Sequence, residues 1–90
     1  GPPRMKYVVY LIITSAKNKT TSYVGYTNNI DKRLKLHNSG KGAKFTKGKK
    51  WKLIYSQNYK SKIKAMQEEY KLKKNYKLRK IIKSKYLLNA

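Results

Sequence analysis

The stretch from Tyr7 to Thr27 decides the fold: YVVYLII at 7–13, a polar SAKNKTT at 15–21, and YVGYT at 23–27. β-Branched and aromatic side chains dominate both ends, which is the composition of buried strands. The polar segment between them reads as a turn, so the two runs predict a hairpin with the first strand central. Side chains alternate along a strand, which places Val8, Tyr10 and Ile12 on one face and Val9, Leu11 and Ile13 on the other.

Downstream, Asn28 is the expected N-cap of a helix that has Asp31 near its start, runs to about His37 and ends at Gly40. On a 3.6-residue wheel Ile30 and Leu34 mark the core face and Lys32 and Lys35 the solvent face. Arg33 and His37, one turn apart, lie on the inward flank. The segment GKGAKFTKGKK at 40–50 is a loop by its glycines and lysines. WKLIY at 51–55 restores alternation and predicts a third strand. Ser61 can cap a second helix that reaches about Lys74 and is terminated by Asn75. A third helix, Tyr76 to Tyr86, is expected to turn Leu78, Ile81 and Ile82 inward. The order of elements is α+β, with no internal repeat and no linker long enough to divide the chain. Residues 5–90 are read as a single domain; residues 1–4 read as a tag-cleavage scar or disordered N-terminus, with Met5 a plausible native start.

The charge balance restricts the function. With 24 Lys+Arg against 3 Asp+Glu, the formal net charge is +21, so a polyanion is the expected partner. Nucleic acid fits first, because each neutralised phosphate releases condensed counterions with a slope of about −0.9 in log K against log salt. An anionic membrane fits less well: the lysines are spread along the chain, and no basic amphipathic helix sets Trp, Phe and Leu against them. The absence of cysteine removes disulfides and thiolate zinc sites, and a single histidine removes a histidine-rich metal cage. No apolar run approaches membrane-spanning length, so a soluble intracellular protein is expected; nucleoid, nucleus and virus-infected compartment are not distinguished.

Chemistry must be found among few groups. Asp31, Glu68 and Glu69 are the only carboxylates. On the second helix Glu68 shares the polar arc with Lys64, Gln67, Lys71 and Lys74. Glu69 falls between Ala65/Leu72 and Met66/Tyr70 and faces the body of the protein. A carboxylate in such an arc needs a cation. That cation is either a side chain, Arg33 or a neighbouring lysine, or a Mg²⁺ that keeps most of its waters. Arg33 and His37 likewise read either as packing and capping groups or as site residues, and Tyr10 and Tyr23, taken singly, as packing residues. Together they assemble two phenols, a guanidinium, an imidazole and one inward carboxylate.

These residues carry a resemblance. Val8-Val9-Tyr10 resembles the first motif of the GIY-YIG nucleases and Tyr23-Val24-Gly25 the second, at a spacing typical of that family. Thr27-Asn28, then Arg33 and His37 within NIDKRLKLHNSGKGAK, are similar to the small stand-alone members and to the Slx-type junction nucleases. KFTKGKKWKLIY and SKIKAMQEEYKLKK continue the likeness, which covers roughly residues 7–76. The sequence departs from the pattern in having Val8-Val9 where Gly-Ile is commonest, in having Tyr26 where some members carry lysine, and in lacking a clear counterpart of the distal asparagine.

The resemblance implies a three-stranded antiparallel β-sheet flanked by α-helices and a metal-dependent DNA endonuclease that hydrolyses phosphodiester bonds. It further implies that Glu69 holds one Mg²⁺ or Mn²⁺, that Arg33 binds non-bridging phosphate oxygens and that Tyr23 orients water or phosphate. Tyr10 acts as general base with His37 taking or relaying its proton, although a shift of the base role to His37 stays open. No small-molecule cofactor is implied. The loop residues Lys41, Lys44, Lys47, Lys49 and Lys50 are expected either to track the DNA backbone, with Gly40, Gly42 and Gly48 permitting close approach, or to form a solvated flexible loop. Phe45 and Trp51 are available to stack on unpaired bases, although Trp51 at a strand start reads rather as core. Lys77, Arg79, Lys80, Lys83 and Lys85 either extend that contact or solubilise the last helix. Selectivity for branched, flapped or nicked DNA, targeting through a partner protein or a homodimer, and a place in repair or recombination are expectations of the same kind. The alternatives are a non-catalytic basic nucleic-acid-binding module and a degenerate domain retained for binding.

Overall fold

A computed structural model describes residues 6–89; the expectation for residues 1–4 lies outside them. Three strands, β1 (Tyr7–Ala16), β2 (Lys19–Thr27) and β3 (Lys52–Tyr59), form one antiparallel sheet in the order β2-β1-β3. The apolar run at 7–13 is central, as its composition demands. Helices α1 (Ile30–Asn38), α2 (Lys62–Lys74) and α3 (Tyr76–Leu88) complete the expected α+β order.

The hairpin is tighter than its polar sequence suggests. Only Lys17 (φ 52°) and Asn18 (φ 64°) form the turn, a left-handed pair whose twist matches the flanking strands. The residues read as turn at 15–16 and 19–21 continue the ladder, pairing Ser15 with Thr20 and Ala16 with Lys19 and bringing Thr21 opposite Thr14. Hydroxyl side chains with β propensity are at home on a solvated strand pair, and Ser15 Oγ lies 3.2 Å from Thr20 Oγ1.

Each face of the sheet buries its own cluster. Tyr10, Ile12 and Trp51 pack with Ile30 and Leu34 of α1 on one side. Val9, Leu11 and Val24 pack with Ala65 and Leu72 of α2 and with Ile82 of α3 on the other. β3 serves both faces through a bulge: Leu11 pairs with Tyr55 but Ile12 with Leu53. The extra residue, Ile54, breaks the alternation expected for WKLIY. Leu53 therefore joins the α1 cluster while Ile54 and Tyr55 both join the α2 cluster.

Several boundaries differ from the sequence reading. Asn29, not Asn28, caps α1, accepting from Lys32 N at 3.1 Å, and Thr27 Oγ1 holds the Asn29 amide at 3.2 Å. β3 extends to Tyr59. Ser61 caps α2 as expected, while Asn75 both ends α2 and caps α3, accepting from Leu78 N. On α3 only Ile82 of the three expected residues turns inward; Leu78 and Ile81 are exposed. α3 meets the sheet along a narrow strip, too narrow to cover a whole apolar face. On α2, Met66 and Tyr70 are also exposed. Arg79 is not a free basic group: its Nη1 donates to Leu72 O at 2.9 Å and to Lys73 O, closing the C-terminus of α2.

The 40–50 segment is more ordered than a flexible loop. It contains a single 3₁₀ turn, Lys44–Thr46, and Thr46 is fully buried. Asn38 clamps its far end, accepting from Trp51 N at 2.6 Å and donating to Trp51 O at 3.2 Å. The Trp51 indole donates to Thr46 O at 3.0 Å. Asn38→Ala removes both clamp bonds and leaves a covered amide unpaired, so urea unfolding should report a loss of about 1–3 kcal/mol. A loss below about 0.3 kcal/mol would mean that the clamp is solvated.

Candidate active site

The site is built where β1, β2, α1 and the 40–50 segment meet. Tyr10 stands opposite Gly25 in the β1–β2 register, and its ring crosses the space where a Gly25 side chain would be. A Cβ there would lie 2.5 Å from Tyr10 Oη. The glycine of the second motif thus makes room for the tyrosine of the first. Tyr10 Oη reaches His37 Nε2 at 2.7 Å, and His37 Nδ1 reaches Thr46 Oγ1 at 2.8 Å. Tyr10, His37 and Thr46 are all buried. Gly42 passes so close to the His37 ring that any side chain there would overlap it. Gly42 therefore serves the interior rather than an approaching backbone, and Gly40 (φ 80°) closes α1; Gly48 alone stands in open space.

Tyr23, half-buried, lies edge-on to His37 with ring centroids 5.1 Å apart and 6.5 Å from the Tyr10 ring. Phe45 is half-exposed and stacks on Tyr23 at 6.2 Å, with Lys49 Nζ 5.1 Å from its centroid. Trp51 is core, as expected. Lys41, Lys44, Lys47, Lys49 and Lys50 are all exposed, and Lys49 also donates to Phe45 O at 3.0 Å.

The charges have distinct surroundings. Arg33, half-buried, has no carboxylate within ion-pair distance among the described residues. Glu69 is not its partner: Glu69 pairs with Lys73 Nζ at 3.0 Å across one turn, with its side chain 16% exposed. Glu68 faces solvent-side lysines, Lys64 at 3.0 Å and Lys71 at 3.5 Å. With Glu68 22% and Glu69 16% exposed, the adjacent acids are covered alike and differ in their lysine partners rather than in burial. The lysine option for Glu69 holds in preference to Arg33.

Burial pushes the Tyr10 phenol above its ordinary value. The Arg33 guanidinium opposes that rise, while Tyr23 and the Glu69 carboxylate add to it. Burial, and then the Arg33 charge, push His37 below its ordinary value of 6.5. A neutral imidazole is thus bonded to a neutral phenol at pH 7, with a guanidinium beside both.

Among the described residues no cluster of three or more His, Asp or Glu side chains forms a metal cage. A donor set of one largely covered carboxylate fits a hard divalent ion that retains most of its water. Also among the described residues, no helix is long and apolar enough to cross a membrane.

The family described as the GIY-YIG catalytic domain matches residues 6–82. The chain belongs to the GIY-YIG family. Its GIY-YIG domain is 48% identical over 66 residues to a UPF0213 protein of Bacillus licheniformis, covering 72% of this chain and 67% of that one. It is 42% identical over 65 residues to a UPF0213 protein of Oceanobacillus iheyensis, covering 71% of this chain and 74% of the other. The solution NMR structure of a UPF0213 protein from Bacillus halodurans matches with 35% identity and a TM-score of 0.49, covering 89% of this chain and 84% of that chain.

Of the residues singled out in the sequence, Tyr10, Tyr23 and His37 of the GIY-YIG motifs come into mutual contact, and Arg33 lies close enough to act on both titrating groups. Glu69 acts on Tyr10 only as the weakest of its charge influences. Thr46 was not anticipated. The one signal available was that it is the sole hydroxyl residue between Gly40 and Lys50.

Two outcomes test this geometry. Gly25→Ala should displace the Tyr10 ring and abolish its bond to His37, visible as a changed His37 ring resonance; an unchanged ring environment would contradict the contact. An NMR titration should give His37 a pKa below 6.5 that rises in Arg33→Ala. Because the folded value lies below the unfolded one, the unfolded chain binds the proton first. The contribution of His37 to stability is complete above about pH 6.5 and falls as pH drops from there to the folded value. A folded value above 6.5 would reverse the sign.

Proposed function

We propose that this GIY-YIG domain is a DNA endonuclease that hydrolyses phosphodiester bonds with the help of one divalent ion. The observation that carries the reading is the buried 2.7 Å contact between Tyr10 Oη and His37 Nε2 beside an Arg33 that has no carboxylate partner among the described residues. A structural arginine this close to a core is normally paired, whereas a guanidinium awaiting a phosphate is not.

The phosphodiester sits against Arg33, whose paired N–H donors meet the non-bridging oxygens as these gain charge towards the transition state. The attacking water is bound at Tyr10. A phenol raised above 10 is a poor source of phenolate at neutral pH. His37, held neutral by burial and by Arg33, takes the Tyr10 proton as Tyr10 takes one from water. Tyr23, packed edge-on to His37, orients the water or the phosphate. Glu69 would hold the Mg²⁺ or Mn²⁺, which when bound supplies positive charge to the phosphate and the leaving oxygen. The exposed lysines at 41, 44, 47, 49 and 50 carry the backbone of the DNA past this point. Selectivity for branched, flapped or nicked DNA, and targeting by a partner protein or a second copy, belong to the same proposal. So does an intracellular place of action, in DNA repair or recombination.

A purely binding module is the rival reading. It gains nothing from a largely covered carboxylate on α2 or from a phenol joined to an imidazole.

Incubation with flapped, branched and plain duplex DNA and Mg²⁺ or Mn²⁺ should yield cut products that EDTA prevents. Glu69→Gln and Arg33→Ala should each abolish cutting while retention on DNA persists. Tyr10→Phe should cost about 10²-fold or more in rate. Binding without cutting on every substrate would leave the module reading standing.

A further inference from the structure

We infer that Thr46 is a positioning residue that fixes the His37 tautomer, leaving Nε2 free to receive the Tyr10 proton. The inference rests on the nuclease reading for its catalytic meaning, but the tautomer itself follows from hydrogen bonding alone.

Thr46 Oγ1 has three neighbours: the Ala43 amide at 3.2 Å, Ala43 O at 2.9 Å and His37 Nδ1 at 2.8 Å. A hydroxyl has one proton and two acceptor sites. The amide can only donate, so it occupies one acceptor site. The carbonyl can only accept, so a 2.9 Å contact with it is attractive only if the Thr46 proton lies between the two oxygens. That leaves one lone pair facing His37 Nδ1, which must then carry hydrogen. If Thr46 instead donated to Nδ1, two oxygens would face each other at 2.9 Å with no proton between them. Nε2–H would also point at Tyr10.

All three bonds close within the 3₁₀ turn and the buried ring, and no buried side-chain polar atom among the described residues lacks a partner. Gly42 contributes by allowing the 43–46 turn to lie against the ring.

The consequence for the reaction is directional. With hydrogen fixed on Nδ1, the Nε2 lone pair accepts the Tyr10 O–H. As the water oxygen forms its bond to phosphorus, the water proton passes to Tyr10 Oη and the Tyr10 proton passes to Nε2. The P–O bond to the leaving oxygen breaks, and that oxygen takes a proton from solvent. The imidazolium so formed still donates from Nδ1 to Thr46, so the transfer needs no rearrangement of the turn. Hydroxyl, carbonyl and amide are already arranged for the charged ring.

The experiment has two arms, both on the whole chain. Nitrogen-15 NMR of the histidine ring should show the Nδ1–H tautomer in the wild type and in Thr46→Ser. It should show a shift towards Nε2–H in Thr46→Val, which keeps the shape but loses the acceptor. In single-turnover and steady-state cleavage, Thr46→Val should lower kcat about 10²–10⁴-fold with KM unchanged, and Thr46→Ser should recover to within about tenfold of wild type. Hydrogen on Nε2 in the wild type overturns the inference, as does an unchanged tautomer in a folded Thr46→Val. So does a loss that falls on KM, or one that serine does not rescue. Should Thr46→Val fail to fold, the wild-type tautomer and Thr46→Ser decide. A wild type that cuts no DNA would defeat the nuclease reading while the tautomer measurement still decides this one.

Discussion

The contact on which the rest depends is a phenol on the central strand meeting an imidazole at the end of a helix that crosses one face of the sheet. Neither group is reactive alone: burial raises the first and lowers the second. Their 2.7 Å separation joins a neutral phenol to a neutral imidazole, and the proposed reaction uses that bond as its path for one proton. Each element of the fold can be understood by what it does for that path. β2 supplies a glycine opposite the phenol, α1 brings arginine and histidine one turn apart, and the 40–50 segment brings a hydroxyl to the far side of the ring. The Asn38 clamp and the Trp51 indole hold that segment down.

The electrostatics follow from the same placement. In a chain of net charge +21 most cations face water and neutralise nothing within the fold. Arg33 differs by being half-buried, without a carboxylate partner among the described residues, and close to both titrating groups. The three carboxylates are correspondingly divided: Asp31 lies in the first turn of α1, Glu68 belongs to solvent-side lysines, and Glu69 is tucked against Lys73. A cation entering the site would compete with that lysine for one carboxylate.

Much of this was legible in the sequence because it rests on periodicity. The alternation in YVVYLII set Tyr10 with Ile12 and Val9 with Leu11, and the two clusters keep that division. The wheel of α1 put His37 inward; that of α2 set Glu68 beside Lys64 and Lys71, but the two adjacent acids do not differ in burial as it predicts. What escaped the sequence depends on contacts between elements. Thr46 has no periodic signature and acquires its role only when a 3₁₀ turn folds against His37. Gly42 looked like part of an open loop because the ring that fills its vacant side-chain space comes from α1. Leu78 and Ile81 satisfy helical spacing on α3, but the sheet beneath is too narrow to cover them. The hairpin turn looked long because polar threonines serve equally in turns and in solvated strands.

The irregularity in β3 has a consequence of its own. Because that strand changes phase at Ile54, Trp51 and Leu53 answer to the layer of tyrosines and histidine, while Ile54, Tyr55 and Tyr59 answer to the layer beneath α2 and α3. One extra residue thus divides a single strand into two packing jobs. Sequence drift in its second half can remodel the helical underside of the domain while leaving the tyrosine and histidine layer in register.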